Sequence, residues 1–150
     1  MKFSRFKKIT AGATAAAIML LLQTPATLIA GAPTGKPRPV AITSTFTSCT
    51  DDFSVCTGTF TTSGALGTSG GTVTMLTEFN INFKRAHCLW TFLFADGSTL
   101  TIREECTFAT SPDRGRWEIE SGTGTYANLR GNGSALMPDD ITEEWVGFVR

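Results

Sequence analysis

The stretch Arg85-Ala86-His87-Cys88-Leu89-Trp90-Thr91-Phe92-Leu93-Phe94-Ala95-Asp96-Gly97-Ser98-Thr99-Leu100-Thr101-Ile102-Arg103-Glu104-Glu105-Cys106 decides the fold. Asp-Gly between two apolar-rich runs is a strong signal for a β-hairpin. Two registers compete. A two-residue loop sets Ala95 opposite Ser98 and Cys88 opposite Glu105. A three-residue loop with a glycine bulge sets Ala95 opposite Thr99 and Cys88 opposite Cys106. Only the second places the two cysteines on adjacent strands as direct neighbours, so the register and a Cys88–Cys106 bond are expected together. It also sets Trp90 beside Glu104, Phe92 beside Ile102 and Phe94 beside Leu100 on one apolar face. The other face is mixed, with Leu89/Glu105, Thr91/Arg103 and Leu93/Thr101. A slip of one residue would exchange the two faces.

The same pattern extends in both directions. Thr and Phe recur, Gly punctuates short apolar runs, and no 3.6-residue period appears beyond the N-terminal stretch. Strands are expected at about 40–48, 57–62, 71–83, 85–95, 98–109, 115–122, 124–129, 133–137 and 142–149. Along the third of these, Val73, Met75, Thr77, Phe79, Ile81 and Phe83 share one face, while Thr72, Thr74, Leu76, Glu78, Asn80 and Asn82 share the other. This is a strand with one dry and one largely wet side. Consecutive strands at this spacing predict an all-β sandwich or barrel.

Residues 1–30 carry an address. Lys2, Arg5, Lys7 and Lys8 precede an apolar stretch from about Ile9 to Leu22, followed by Pro25 and small residues around Ala30-Gly31-Ala32. Charged start, apolar middle and small-residue exit make a secretory signal peptide, with cleavage expected near Ala30 or Ala32. The apolar middle, broken by Thr10, Gly12 and Thr14, is short of the about 20 residues that span a bilayer, so no stable membrane anchor is expected. Residues 31–39, with Pro33, Pro37 and Pro39, read as an extended lead-in to a barrel domain at 40–150.

This division changes the charge. The whole chain has 13 basic and 13 acidic residues. Four of the basic ones lie in the leader, which leaves nine against thirteen, a net charge of −4. An acidic exported domain, extracellular or periplasmic, is a poor match for nucleic acid or anionic lipid. All four cysteines, at 49, 56, 88 and 106, lie after the leader, and an even count in an exported chain reads as disulfides. Of three pairings, Cys49–Cys56 and Cys88–Cys106 are preferred because each closes a local hairpin. No C-x-x-C pair and a single His argue against a metal centre.

Residues 115–133 read Gly-Arg-Trp-Glu-Ile-Glu-Ser-Gly-Thr-Gly-Thr-Tyr-Ala-Asn-Leu-Arg-Gly-Asn-Gly. Gly122-x-Gly124 is not a dinucleotide loop, since position 127 is Ala and no helical pattern follows. The run from Trp117 through Gly122-Thr123-Gly124-Thr125-Tyr126 to Leu129, Gly131 and Gly133 resembles the G-T-G-x-Y-x-x-L-x-G-x-G signature of allene oxide cyclase-like barrel domains. Plant dirigent proteins carry a related glycine-aromatic run. The resemblance implies an antiparallel eight-stranded β-barrel with a central apolar cavity, a calycin-like barrel being the alternative. In that family some members cyclise or isomerise a hydrophobic substrate and others direct radical coupling. The signature consists of turn glycines and a packing Tyr, so it speaks for fold more than for catalysis.

Within such a barrel, Glu104 is the one carboxylate expected on the apolar face of the hairpin. If dry, its pKa is raised and it becomes the candidate general acid or base; if the face tilts out at a barrel mouth, it meets water. A lumen ligand would be lined by Val73, Met75, Phe79, Trp90, Phe92, Ile102, Trp117, Ile119 and Tyr126. Tyr126 can instead pin the 124–131 bend. A hydrolase triad would need His87, and no Gly-x-Ser-x-Gly elbow exists. Asp51-Asp52, Asp139-Asp140 and Glu143-Glu144 lack the spaced ligands of a calcium loop. Asn132-Gly133-Ser134 matches a glycosylation sequon that the Gly-rich turn explains equally well. Three functions remain open: a barrel that binds a small hydrophobic molecule without a cofactor, a cyclase or isomerase in the same cavity, or an interaction module with a filled core. In the last, Leu89 and Leu93 pack on another subunit, such as a second copy of the chain.

Overall fold

A computed structural model describes residues 35–80, 84–108 and 111–150. Eight antiparallel strands run in chain order around a closed barrel: β1 Arg38–Cys49, β2 Val55–Gly64, β3 Ser69–Phe79, β4 Arg85–Phe94, β5 Thr99–Thr107, β6 Asp113–Gly122, β7 Gly131–Met137 and β8 Thr142–Val149. Each strand pairs with its sequence neighbours, and β1 closes the ring on β8 with Arg38 opposite Val149 and Thr45 opposite Thr142. The eight-stranded barrel expected from the sequence is the fold. The leader and its cleavage site, like Ile81 and Phe83, lie outside the described residues.

Two elements differ from expectation. The stretch at 124–129 is not a strand. Gly124–Tyr126 forms one 3-10 turn, entered through Gly124 at φ +53°. The chain there turns instead of pairing, because Tyr126 N–H bonds the Thr123 carbonyl and Leu129 N–H bonds the Tyr126 carbonyl. β1 also starts inside the proline-rich lead-in: Pro39 sits opposite Phe148, and its carbonyl accepts the N–H of Ala65.

The hairpin register is corrected as well. Leu93 faces Thr99, Phe92 faces Leu100, Trp90 faces Ile102 and Cys88 faces Glu104. The loop does hold three residues, but they are Ala95-Asp96-Gly97 and not Asp96-Gly97-Ser98. Phe94 N–H bonds the Ser98 carbonyl at 2.9 Å, and Gly97 takes the left-handed position at φ +81°. Asp96 Oδ1 accepts the Ser98 N–H at 2.9 Å and fixes that choice. The shift is two residues, an even number, so the two faces keep their membership. Outward, the pairs become Leu89/Arg103, Thr91/Thr101 and Leu93/Thr99.

The inward face of every strand meets in one core. Eight strands enclose a lumen just wide enough for side chains to fill. Phe46 stacks on Trp90 at 5.4 Å between ring centroids, Trp145 meets Trp90 edge-on at 4.6 Å, and Phe60 meets Phe92 edge-on at 5.0 Å. Phe94 and Tyr126, 4.3 Å apart, continue this aromatic column. Large rings need small partners across the wall. A Cβ on Gly147 would fall 2.5 Å from the Trp117 ring, and one on Gly133 2.8 Å from it. The Trp117 indole N–H is satisfied by the backbone carbonyls of Ser134 and Val146.

Candidate functional site

The residues expected to line a ligand lie together on the inner wall, and they fill it. Trp90, Phe92 and Ile102 have no solvent exposure, and Val73, Met75, Trp117, Ile119 and Tyr126 are buried. Phe79 packs against the core near one end, with Phe108 at 5.8 Å. Leu100, expected on the apolar face of the hairpin, and Trp145, which sequence reasoning did not place in the lumen, are also fully sealed. Clefts open on the outer wall instead. One of about 630 Å³ lies over β1, β7 and β8 between Pro39, Ala41, Ser134, Val146 and Phe148. Another of about 550 Å³ is bordered by His87, Arg103, Glu105, Arg116 and Glu118, and within it Arg103 and Glu118 form an ion pair.

The polar heart of the lumen is Glu104. It does not meet water at a mouth, for it is only 1% exposed. β5 aims it inward opposite Cys88 and Trp117, and the Trp90 indole N–H donates to its Oε2 at 2.8 Å. A side chain at Gly115 would collide with this carboxyl, since a Cβ there would lie 1.7 Å from Oε1. Burial raises the Glu104 pKa above the ordinary carboxylate value, partly offset by hydrogen bonds from Glu143, Trp90 and Cys106. Of the two alternatives open in the sequence, the dry carboxyl and the one at a barrel mouth, the structure has the dry one, and its neighbours are packed side chains.

Glu143 is the residue that the sequence reading missed. Considered in the sequence only as half of an acidic doublet, it points inward from β8, 3% exposed, opposite Ser44 of β1. Its pKa is raised well above the ordinary value by burial first, then by the Glu104 charge. The period-two pattern of β8 could have placed it, since Glu143, Trp145 and Val149 alternate with Glu144, Val146 and Phe148. Both sets contain large apolar residues, however, and pattern alone does not say which set faces in. The other acidic doublets are turn formers. Asp52 accepts from Thr50 and Ser54, and Asp139 accepts the N–H groups of Ile141 and Thr142. Among the described residues no group of three or more His, Cys, Asp or Glu side chains is placed to hold a metal ion.

The cysteines divide. Cys49 and Cys56 form a disulfide between β1 and β2, as expected. Cys88 and Cys106 are free thiols. In the corrected register Cys88 faces Glu104 and Cys106 faces Ala86, so the two are diagonal neighbours and not a direct cross-strand pair. Their sulfurs still come within 3.2 Å, and the Thr77 hydroxyl lies 3.8 Å from the Cys88 sulfur. The hydrogen bond with Cys88, then burial, then the Glu104 charge raise the Cys106 thiol pKa.

No protein-family model, curated protein or solved structure matches the chain. The resemblance to allene oxide cyclase-like domains rests on the 117–133 segment. There Gly122 lies against Tyr126, Gly124 makes the left-handed entry to the turn, and Tyr126 is buried on Phe94. These residues shape the turn between β6 and β7.

The disulfide is compatible with an extracellular location. No helix among the described residues is long and apolar enough to cross a membrane.

Proposed function

We propose that this protein is an exported binding module that works through the outer wall of its barrel, with the lumen serving as packed core. One observation carries the reading: Trp90, Phe92, Leu100, Ile102 and Trp145 fill the lumen at zero exposure. A ligand pocket of drug-like size needs several hundred cubic ångströms of concave space, and the clefts of that size described above are on the outside. The outer wall also displays large apolar residues. Val146 and Phe148 are 56% and 58% exposed beside the β1–β8 cleft, and Leu76 and Leu93 are exposed on β3 and β4. Leu89 stands beside Leu76 on the same face, directly across the strand pair. Contiguous exposed apolar surface marks a place where a partner docks. Export by the N-terminal leader would put that surface in an oxidising space, with which the Cys49–Cys56 bond agrees.

Native mass spectrometry of the protein purified from the host that exports it tests this reading. The expected mass is that of the processed chain or of a defined oligomer of it, with no stoichiometric small molecule. An apolar ligand that travels with the folded chain and leaves only on unfolding would overturn it in favour of a lumen-binding barrel.

A second reading keeps Glu104 as an acid or base in a cyclase or isomerase of the type the 117–133 resemblance implies. It is favoured by unpaired polar atoms in the lumen, namely Ser44 Oγ, Glu104 Oε1, Glu143 Oε2 and Trp145 Nε1. Such a substrate would require the aromatic column to part. Glu104→Gln with unchanged turnover of any substrate found would remove that role.

A further inference from the structure

Glu104 on β5 and Glu143 on β8 both occupy inward strand positions, and both are more than nine-tenths buried. Each carboxyl acts on the other's protonation, through hydrogen bonding and, on Glu143, through the Glu104 charge. An ionised carboxylate only accepts, so two ionised ones cannot bond each other. Glu104 Oε2 has the Trp90 N–H, but among the described residues Glu104 Oε1 and Glu143 Oε2 find no donor. Ser44 Oγ, on the strand position directly opposite Glu143, and Trp145 Nε1, two residues along β8, are buried without partners too. A proton on one carboxyl supplies the missing donor between the two.

Among the described residues no cation is placed to balance the pair. β4 turns Cys88 toward the pair, β5 turns Cys106, and β6 turns the half-buried Asp113, whose charge acts on Glu143. β1 contributes Ser44, and β7 contributes Ala135 and Met137. Arg85, Arg103, Arg114 and Arg116 occupy exposed, outward strand positions.

We propose that Glu104 and Glu143 hold a single proton between them in the folded barrel, and that losing it unlocks the barrel where β8 begins, making the fold itself sensitive to pH. With both carboxyls charged, the dry lumen would hold two like charges in contact with nothing to balance them. The shortest route to water belongs to Glu143, the second residue of β8, which follows the exposed turn at 139–141. Swinging the start of β8 outward would hydrate it and break pairing with β1 and β7 at that end only.

The sign follows from linkage. Burial raises both carboxyls above their unfolded value, Glu143 well above it. The folded state therefore holds a proton that the unfolded chain has already released. The stabilisation is fully present below the unfolded value of about 4.3 and is lost as pH rises through the raised folded value.

The test is thermal unfolding of the disulfide-intact protein from about pH 5, just above that unfolded value, to about pH 9. The expected midpoint falls steadily as pH rises. Glu143→Gln keeps the shape and offers a permanent N–H donor to Glu104, so it should flatten the slope. A wild-type midpoint that is level or rises over this range, or a slope that Glu143→Gln leaves unchanged, overturns the proposal. Infrared spectroscopy of the wild type decides the matter should the variant not fold. One protonated-carboxyl band per chain is expected at neutral pH, lost on unfolding, and its absence from the folded protein overturns the proposal.

Discussion

At the scale of single residues, the lumen is organised around one carboxyl and the space left for it. Gly115 carries no side chain because Glu104 occupies that volume: a Cβ there would fall 1.7 Å from Oε1. Gly115→Ala should therefore lower stability by about 1–3 kcal/mol, the usual cost of overpacking a core, read as a reduced urea midpoint. Trp90 is the partner that makes the burial of Glu104 tolerable. Trp90→Phe keeps a ring in place but strands Glu104 Oε2, and the loss of a buried donor should cost about 1–3 kcal/mol beyond the packing change. Glu104→Gln in the same background should recover part of that loss, because a neutral amide needs the indole less. A double-mutant cycle measures the coupling. Glu104 was legible in the sequence as an inward carboxyl, since an even register error preserves its face. Glu143 was not, because β8 offers an apolar set on both faces and only the closed ring says which one is inside.

At the scale of elements, turns set what the strands do. Gly97 takes the left-handed position of the β4–β5 loop at φ +81°, with open space around its Cα. Gly97→Ala should cost about 1 kcal/mol through backbone conformation alone, with no packing penalty, and denaturant melts would show a lower midpoint at unchanged slope. The β1–β2 turn relies on a covalent link instead. The Cys49–Cys56 bond closes a short loop, and replacing both cysteines by Ser should remove about 2 kcal/mol by the chain-entropy estimate. Calorimetry of the double variant checks this. The hairpin at 85–107 shows why its register escaped the sequence. Requiring Cys88 and Cys106 to sit directly opposite one another moved the loop by one residue. The turn obeys local chemistry, through Gly97 and the Asp96 bond to Ser98, and the sulfurs meet diagonally.

At the scale of the whole molecule, the inside and outside of one barrel do different work. Phe92 is completely buried, and Phe92→Ala should cost about 3–5 kcal/mol, whereas Phe148→Ser on the outer wall should change stability by less than about 0.5 kcal/mol. If the outer wall is the working surface, Phe148→Ser should weaken any association of the native protein seen by sedimentation while leaving its melt unchanged. The pH profile is also a property of the whole. The exposed turn carboxyls of Asp52, Asp96 and Asp139 are held below their ordinary values by hydrogen bonds, Asp52 at about 2. They favour the fold above the unfolded carboxylate value and lose that effect as pH falls through their own. Glu104 and Glu143 act in the opposite direction as pH rises. Stability should therefore peak in mildly acidic solution, and a melting series across pH would show the maximum below neutrality.

The amino-acid sequence by itself determined the class of structure. Period-two alternation, threonine and phenylalanine in the strands, and glycine at the bends leave few alternatives to an antiparallel all-β fold. Side-chain parity also placed Val73, Trp90, Phe92, Ile102 and Glu104 on one inner face. Local chemistry was enough for these, because a strand face depends only on its own spacing. Tertiary structure alone decided the rest. Whether the inner face encloses a void or a packed core depends on how eight walls meet, and Trp145 crossing to Trp90 fills the space. The juxtaposition of Glu104 with Glu143 joins residues 39 positions apart. No local pattern encodes it, since it exists only once β8 has closed on β1.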